Sequence, residues 1–405
     1  MKLTSCALLF YLALGGQGGD WESVELEVPK RGGGMAPRFS QDSTWLSWIE
    51  AGSESAWVLV AADLSAETET ERVVFKTAER DEIFVNWADR PVFSTDSSRS
   101  WLAAWLPRNG ESAYAYDSVC SVSVDEGKLW SAPEKLHSDE VQGEHGFISL
   151  LPRSEGGWAA CWLDGRAMGG GHDDHGHASG PMQLRLAHID YEGKVSAERV
   201  LDERVCECCP TALCALPGGG AVLVYRDRGE GEMRDFAYTY STDAGLDRWS
   251  SPRAVHEDGW RVDGCPVNGA ALASDGEEVA VVWYTMGADS TPRVRCAWWD
   301  AEREAFGAPK TIAEGKALGR IAAAMLPSGE LAVTWLEALE EPGSAEWRLA
   351  VGSRSAKSFH IQSLISSSAS RASGISTLAV DGEELLFACT RTEPSAAVIA
   401  LRLFR

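Results

Sequence analysis

No segment of this 405-residue sequence has both the length and the apolar character of a membrane-spanning helix. The apolar run near the N-terminus, ALLFYLALGG, is far shorter than the roughly 20 residues that a span requires. An excess of basic residues is also missing, since 37 lysines and arginines stand against 60 acidic residues, for a net charge of −23. This charge disfavours nucleic acid and anionic membrane surfaces as partners.

The first 19 residues have the pattern of an export signal. Lys2 precedes the apolar run, and small residues follow it. We therefore expect residues 1–19 to be a signal peptide and residues 20–405 to form the mature protein. The protein would be exported, periplasmic or secreted, to a compartment where cysteines can oxidise.

Amphipathic helical patterns are absent, and seven strand-like apolar segments take their place. Each segment ends on one residue, here called the anchor, and successive anchors are 52 to 63 residues apart. The anchors are Trp48, Trp105, Trp162, Tyr225, Trp283, Trp335 and Cys389. Regular spacing of this length is typical of repeat architectures such as propellers.

The same order of short strands recurs around each anchor. A first strand precedes the anchor strand across a polar turn, and a third and often a fourth strand follow. The pattern predicts an all-β fold, a seven-bladed β-propeller of four-stranded antiparallel blades, with six blades as the alternative. Residues 20–405 would form a single propeller domain. The last repeat supplies only three strands, so we expect the segment 21–28 to pair with the strand near 396–404 and close the ring.

Two hairpins carry an Asp-box pattern, S-x-D-x-G-x-x-W. One comprises Ser123, Asp125, Gly127 and Trp130, and a looser copy comprises Ser241, Asp243, Gly245 and Trp249. The polar side chains can satisfy turn amides while the tryptophan packs beneath the turn, so we interpret both as structural.

Further motifs carry a family resemblance. EHGF begins at Glu144, WLDGR at Trp162, RVCECCPT at Arg204 and GCPVNG at Gly264. With the Asp boxes, they make the chain resemble the sialidase-like BNR/Asp-box propellers of exported bacterial proteins. The resemblance implies an anionic carbohydrate as ligand, or another small acidic molecule. Sialidases bind the substrate carboxylate with three arginines, and use a tyrosine nucleophile paired with a glutamate and an aspartate as acid/base. They are six-bladed with a late tyrosine, whereas no tyrosine follows Tyr284 here.

The unusual residues fall on one face of the predicted propeller. Loops from fourth to first strands and from second to third strands open on that face, where ligand sites are expected. The candidate catalytic residues are Glu144, His145, Asp164 and Asp227, because carboxylates and histidine can act as general acids and bases. The candidate ligand-binding residues are Arg166, Arg226, Arg228, Arg234, Arg320 and Asn268, because guanidinium groups pair with carboxylates or sulfates. We expect Arg166, Arg226, Arg228 and Arg320 to converge with the four candidate acids and bases in one funnel; the alternative is a structural network of paired charges.

Four cysteines form a cluster on loops of the same face: Cys206, Cys208, Cys209 and Cys265. Two disulfides are the preferred interpretation for an exported protein. The alternative is a copper or zinc site that also uses His172, His175 and His177, since thiolates and imidazoles suit these metals.

Three functions follow from these observations. The preferred one is binding of an anionic carbohydrate, with or without its hydrolysis. The others are a noncatalytic binding or scaffold propeller and a copper or zinc protein.

Overall fold

The computed structural model describes residues 20–26, 28, 34–41, 43–51, 56–65, 72–79, 82–96, 98–168, 180–393 and 396–405. The predicted signal peptide, residues 1–19, lies outside the described residues, as do His172, His175 and His177. Within these ranges, no helix has the length and hydropathy needed to cross a membrane.

Within the ranges given above, twenty-nine strands make up almost all of the regular structure. In chain order they are β1 (Glu22–Leu26), β2 (Gly34–Phe39), β3 (Trp45–Ala51), β4 (Ala56–Asp63), β5 (Arg72–Glu79), β6 (Val92–Thr95), β7 (Trp101–Trp105), β8 (Val119–Ser123), β9 (Glu134–Lys135), β10 (His145–Pro152), β11 (Trp158–Asp164), β12 (Met182–Ile189), β13 (Val195–Val205), β14 (Ala212–Ala215), β15 (Ala221–Arg226), β16 (Phe236–Ser241), β17 (Arg253–Ala254), β18 (Ala271–Ser274), β19 (Val279–Thr285), β20 (Arg293–Asp300), β21 (Ala305–Phe306), β22 (Lys310–Glu314), β23 (Ala317–Met325), β24 (Glu330–Ala338), β25 (Ser344–Ser353), β26 (His360–Ser368), β27 (Thr377–Asp381), β28 (Glu384–Arg391) and β29 (Ala397–Phe404). Single 3₁₀ turns occupy Arg166–Met168, Glu230–Glu232 and Arg371–Ser373.

These strands form seven antiparallel sheets, the blades of a propeller. Blades one to four are β2-β3-β4-β5, β6-β7-β8-β9, β10-β11-β12-β13 and β14-β15-β16-β17. Blade five is β18-β19-β20, with β20 pairing both β21 and β22, and blade six is β23-β24-β25-β26. The first strands of successive blades contact one another around the whole ring, from β2 through β27 and back to β2. The seven-bladed all-β prediction is confirmed.

The ring closes through blade seven, whose strand order is β1-β29-β28-β27. Glu22 is the register partner of Phe404, and Leu26 is the partner of Ala400. Trp21, just before β1, is 5% exposed and packs in the core between blades six and seven. The predicted closing strand is therefore confirmed, and it covers an edge that would otherwise remain open.

The core lies between the faces of neighbouring blades. The anchors Trp48, Trp162, Trp283 and Trp335 are each at most 1% exposed. Strand residues alternate between two faces, and both faces of a blade meet another blade, so nearly every anchor-strand residue is apolar. This explains why the repeats read as short apolar runs.

The acidic residues two positions beyond the anchors have a structural partner. Asp164 accepts a hydrogen bond of 2.7 Å from the indole Nε1 of Trp162. Glu50 and Glu337 accept the same bond from the anchors of their own blades, at 3.2 and 3.1 Å. A buried indole N–H needs an acceptor, and the residue two positions along the strand lies on the same side.

The Asp-box hairpins have the predicted geometry. Ser123 Oγ accepts from the Gly127 N–H at 2.9 Å, and the Trp130 indole donates to the Gly127 carbonyl at 3.2 Å. In the second hairpin, Trp249 donates instead to the Leu246 carbonyl at 2.9 Å. Leu246 has a φ of +56°, so the extra residue moves the left-handed position from glycine to leucine.

Candidate functional site

A cavity of about 800 Å³ opens on the face predicted to carry the site. Most of its described lining residues belong to fourth-to-first and second-to-third connections of blades two to five and blade seven, and Phe147 of β10 and Arg204 of β13 complete the lining. Phe84, Trp87, Tyr114 and Tyr116 give it an aromatic side. This size, with aromatic walls and a few polar groups, is typical of small-molecule sites.

Asp89, Tyr116 and Glu144 meet at one wall of the cavity, and we name them the cavity cluster. The Tyr116 hydroxyl lies 2.8 Å from Asp89 Oδ2 and 2.8 Å from Glu144 Oε1. Asp89 Oδ1 accepts the Phe147 backbone N–H at 2.7 Å. A Cβ at Gly146 would overlap Asp89 Oδ2, so the glycine of the EHGF motif is required for this approach.

A single tyrosine proton cannot serve two ionised carboxylates. Burial raises the pKa of Asp89 to about 7, although the bond from Phe147 opposes the shift. Burial also raises the pKa of Glu144 to about 8, and the nearby charge of Asp89 adds to it. The cluster therefore retains a carboxylic acid proton near neutral pH. Tyr116 is fully buried and Asp89 nearly so, which leaves Glu144 as the member most open to the cavity.

His145 follows Glu144 in the chain, but its side chain lies on the other side, inside blade three. Its ring stacks on His137 with centroids 3.8 Å apart, and its Nδ1 faces the Tyr116 carbonyl at 3.2 Å. Its Nε2 lies 3.4 Å from Asp139 Oδ2. His137 in turn lies 3.3 Å from Asp117 and 3.0 Å from Asp139.

Asp164 joins this second group rather than the cavity. Arg166 grips its carboxylate with two bonds of 2.7 Å, from Nε and Nη2. Arg166 also lies 2.6 Å from Glu198 and 3.0 Å from Asp139. We name the whole set the histidine network: Asp117, His137, Asp139, His145, Asp164, Arg166 and Glu198.

In the histidine network, every carboxylate has a cationic or proton-donating neighbour. Burial alone would raise the pKa of Asp164, but Arg166 and His145 lower it below the usual value. Burial alone would lower the pKa of His145, but Asp139 and Asp164 raise it. The pKa of Asp117 falls to about 2, since the bonds from His137 and its neighbours outweigh burial. These groups are mutually compensated, as expected of a structural ion network.

Arg228 and Arg234 line the cavity but share two carboxylates, Glu207 and Glu232. Arg234 lies 2.8 Å from Glu207 and 2.6 Å from Glu232. Arg228 bonds to Glu207 as well, and lies 3.0 Å from Glu232. Each guanidinium is thus largely occupied by protein partners, which fixes its position at the wall.

Arg226 is 1% exposed and does not line the cavity. Its guanidinium donates to the carbonyls of Arg234 (2.6 Å), Asn268 (2.9 Å) and Tyr284 (3.1 Å). It also lies over the rings of Phe236 and Trp260, at 4.0 and 4.7 Å. Arg226 is therefore a buried clamp between blades four and five.

Asn268 and Arg320 act together at the centre of the ring. Asn268 Oδ1 accepts the Arg320 backbone N–H at 2.8 Å. The Arg320 guanidinium donates to the carbonyls of Ser370 (2.7 Å) and Ala369 (3.1 Å), and lies 5.1 Å from the Trp87 ring. Arg320 lines the central channel, a second cavity of about 550 Å³ among the first strands.

The four arginines expected in one funnel therefore occupy separate places. Arg166 is in the histidine network, Arg226 is a clamp between blades, Arg320 is at the channel, and Arg228 alone lines the cavity. Asp227 lies outside it too, half-buried behind Arg228, and burial raises its pKa to about 6. Burial in a closed ring, rather than position on a face, decides where these side chains point.

Sequence reasoning missed the exposed arginines of the cavity. Arg204 opens the RVCECCPT motif and reaches the cavity from the end of β13, and Arg371 reaches it from the fourth-to-first connection before blade seven. Tyr116 was missed as well, because the family resemblance points to a tyrosine late in the chain. Its signal was position, since it lies in a second-to-third connection, as does Arg228.

Two cysteines of the predicted cluster, Cys208 and Cys265, reach the cavity wall. Cys206 Sγ lies 3.8 Å from Cys208 Sγ and 3.6 Å from Cys209 Sγ. The four sulfurs thus gather at one place, as predicted, and remain separate thiols in this structure.

Comparison with known proteins identifies the fold. No family profile and no curated protein sequence matches the chain. Among solved structures it is similar to polysaccharide lyase Uly1, with a TM-score of 0.51 and 9% identity over 92% of this chain and 90% of that one. It is also similar to the Hadza microbial sialidase Hz136, with a TM-score of 0.49 and 14% identity over 87% and 74% of the two chains. A mutant of NanB sialidase from Streptococcus pneumoniae gives a TM-score of 0.48 and 9% identity over 89% and 83%.

At such low identities, the likeness establishes the fold alone. The likeness and the seven blades show a β-propeller fold, and the two Asp-box hairpins have the geometry that the motifs predicted. Any activity must be argued from the cavity itself.

Proposed function

We propose that the protein binds an anionic carbohydrate in the 800 Å³ cavity and cleaves it with Glu144 as general acid. The observation that carries the proposal is the Tyr116 hydroxyl, 2.8 Å from both Asp89 and Glu144 at the cavity wall. Uly1 is a polysaccharide lyase by name and shares the fold, but the proposal rests on the cavity and not on that likeness.

The charge of the cavity favours an anion although the whole protein is acidic. Its charged lining residues are Arg204, Arg228, Arg234, Arg371, Asp89, Glu144, Glu207 and Asp263. With pKa values of about 7 and 8, Asp89 is about half ionised and Glu144 is mostly protonated at pH 7, so the four arginines outnumber the ionised carboxylates. A ligand carboxylate or sulfate would meet a locally positive surface.

Arg371 and Arg204 are the arginines best placed to meet that anion. Both are exposed side chains at the cavity. Arg204 lies 3.9 Å from Glu232, a looser contact than those that hold Arg228 and Arg234 to Glu207 and Glu232. A charged hydrogen bond from a guanidinium to a carboxylate contributes roughly 1.5–3 kcal/mol. The aromatic side of the cavity supplies an apolar surface for the sugar ring.

Glu144 can supply the proton for cleavage. A general acid works best when its pKa lies near the working pH, and its pKa of about 8 meets this condition. Protonation of the glycosidic oxygen allows the bond to the leaving sugar to break while water completes hydrolysis. Tyr116 and Asp89 lie behind Glu144, hold its carboxyl in place and share the cluster proton.

Binding is tested by calorimetry with matched pairs of oligosaccharides, one ending in a sialic or uronic acid and the other in its neutral counterpart. We expect the acidic member to bind at least about tenfold more tightly, from one guanidinium contact. Equal affinity for both members, or no binding of any acidic sugar, would contradict the proposal.

Turnover is tested by release of reducing ends from the sugar that binds. Glu144→Gln preserves size and hydrogen bonding but cannot donate a carboxylic proton, so we expect turnover to fall by about 100-fold or more with little change in affinity. Binding by the wild type without turnover would remove the catalytic part and leave a noncatalytic carbohydrate-binding propeller.

A further inference from the structure

The cysteine cluster has a geometry that the carbohydrate proposal does not use. The sulfurs of Cys206, Cys208 and Cys209 all lie within 4.8 Å of one another. Cys265 reaches the outer side of the cluster, where it interacts with Cys208. The cluster is buried except on the side of Cys208 and Cys265, which faces the cavity.

The sulfur separations match a shared metal ion better than disulfides. A disulfide requires about 2.05 Å between sulfurs. Thiolates that surround one zinc ion tetrahedrally at about 2.3 Å are about 3.8 Å apart. The measured separations are 3.8 Å for Cys206 and Cys208, and 3.6 Å for Cys206 and Cys209.

The surroundings are arranged to hold negative sulfur. The guanidinium groups of Arg226 and Arg234 lie near Cys206, and Arg226 also acts on Cys209. The Asn268 backbone N–H donates to the Cys209 sulfur. Three thiolates around one cation leave excess negative charge, which these donors offset. Outer contacts of this kind are usual around metal ligands.

The backbone also fixes the loop that carries the cluster. The Cys206 N–H donates to the Arg226 carbonyl at 3.0 Å, and Val205 bridges to Asp227. The intervening Glu207 is turned toward Arg228 and Arg234. The glutamate in the motif therefore anchors the loop while the three cysteines turn inward together.

We propose that Cys206, Cys208 and Cys209 bind one thiophilic metal ion, zinc(II) or copper(I), and that Cys265 completes the site from the cavity side. Soft thiolate ligands select these two ions among the common biological metals. The site is independent of the carbohydrate proposal, because its ligands bind metal whether or not a sugar is recognised. The metal would lie at the cavity wall, near Arg234.

The test uses the full mature chain, purified reduced and stripped with a chelator, then loaded separately with zinc(II) or copper(I). Metal per chain is measured after gel filtration, and the metal–sulfur distance by X-ray absorption. We expect one ion per chain with sulfur at about 2.3 Å. The metal content of protein purified without a chelator identifies the native ion, because affinity alone does not decide which metal a site takes up.

Matched variants locate the site. Cys206→Ala and Cys209→Ala should each lower metal affinity at least about tenfold, and Cys265→Ala should weaken it less while three sulfurs remain. Cys120→Ala, which removes a buried cysteine of blade two, should leave the metal affinity unchanged. If a cluster variant fails to fold, alkylation of the wild type decides instead, since metal should protect Cys206, Cys208 and Cys209 from labelling.

Several results would overturn the site. One is reduced wild-type protein that takes up neither ion stoichiometrically. Another is metal binding that persists unchanged in both Cys206→Ala and Cys209→Ala. A third is a folded protein whose mass is lower by four hydrogens and whose cluster cysteines resist reduction, which would establish the two disulfides. None of these results bears on sugar binding, so the two proposals fail separately.

Discussion

Glu144 and His145 are neighbours in the chain, yet they belong to two groups that differ in one respect. Glu144 belongs to the cavity cluster, where two carboxyl groups share a tyrosine and form no ion pair among the described side chains, and where Arg38 and Arg90 act on Asp89 without overcoming its burial. His145 belongs to the histidine network, where Arg166 forms ion pairs with the acids and two histidines lie within 3.0–3.8 Å of them. The start of β10 thus separates an acid without an ion pair from a group of paired acids.

The difference shows where the fold keeps buried groups that lower its free energy of unfolding. Uncompensated buried carboxyls cost folding free energy as pH rises, because their ionised form is disfavoured. Compensated ones stabilise the fold in their ionised form. Residues that carry such a cost at a cavity are functional candidates, whereas residues in the compensated group are structural ones.

The largest expected effect comes from breaking the compensated group. Asp164→Ala leaves Arg166 and the Trp162 indole without their shared acceptor inside blade three. We expect the free energy of unfolding to fall by roughly 3–5 kcal/mol, as for other broken buried ion pairs. Urea denaturation at pH 7 measures it.

Glu144→Gln is the matched change in the cavity cluster. At pH 7 Glu144 is largely protonated in the folded protein but ionised in the unfolded chain, and glutamine avoids this cost, so we expect Glu144→Gln to raise the free energy of unfolding by roughly 2–3 kcal/mol. If Glu144→Gln costs as much as Asp164→Ala, the two groups do not differ in the way described.

The pH dependence sharpens the contrast. The folded-state pKa of Glu144, about 8, lies above its usual value of 4.5, so wild-type stability from this group is full below pH 4.5 and is lost as pH rises through 8. Relative to wild type, Glu144→Gln should therefore gain on the order of 2–4 kcal/mol between pH 5 and pH 9. Urea unfolding at several pH values measures the difference.

Asp164 should behave in the opposite sense. Its pKa is lowered, so its stabilisation is present above the usual pKa of the group and is lost as pH falls through the folded value. The penalty of Asp164→Asn relative to wild type should shrink on acidification below about pH 4. Parallel curves for both variants would refute the assignment of opposite shifts.

Ligand binding should separate the arginines of the two regions. Arg371→Ala removes an exposed cavity guanidinium, and we expect the Kd for an acidic oligosaccharide to rise roughly 10- to 100-fold. Arg166→Ala removes the central cation of the histidine network and should leave the Kd unchanged at a temperature where the variant is folded. Calorimetry measures the Kd of both variants. An equal loss of affinity in both would indicate that the ligand does not bind in the cavity.

The smallest effect tests geometry rather than charge. Lysine cannot reproduce the two parallel bonds from Arg166 to Asp164, so Arg166→Lys should lower the free energy of unfolding by about 1 kcal/mol. Arg371→Lys should stay within about 0.5 kcal/mol, as expected for an exposed side chain. Chemical denaturation measures the free energy of unfolding of both variants. If both lysine substitutions lower it equally, the bidentate contact contributes no stability.

The fold could be predicted from the sequence because an apolar segment marks each repeat. The seven anchors, the closing strand and both Asp boxes are local patterns, and the structure contains all of them. The site face was also predictable, since loop class follows from strand order. These features depend on which residues alternate, and alternation is visible in a sequence.

The site residues were less predictable because side-chain partners lie far apart in the chain. Asp164 was predicted as a catalytic residue, but the indole of Trp162 and the guanidinium of Arg166 both bind its carboxylate. Tyr116 contacts Asp89 and Glu144 from another connection between strands, and no regular spacing in the sequence predicts this contact. Contacts between blades set by ring curvature cannot be read from periodicity alone.

The pairing of β1 with β29 also dictates an order of events during folding. Glu22, among the earliest residues of the ring to be synthesised, finds its partner Phe404 only when nearly the whole chain is available. Six blades can form from local hairpins, but the seventh must wait, so ring closure is the most non-local step and is expected to be slow. Until then, the exposed faces of the flanking blades are open to other chains, which makes chaperone protection most valuable in that interval.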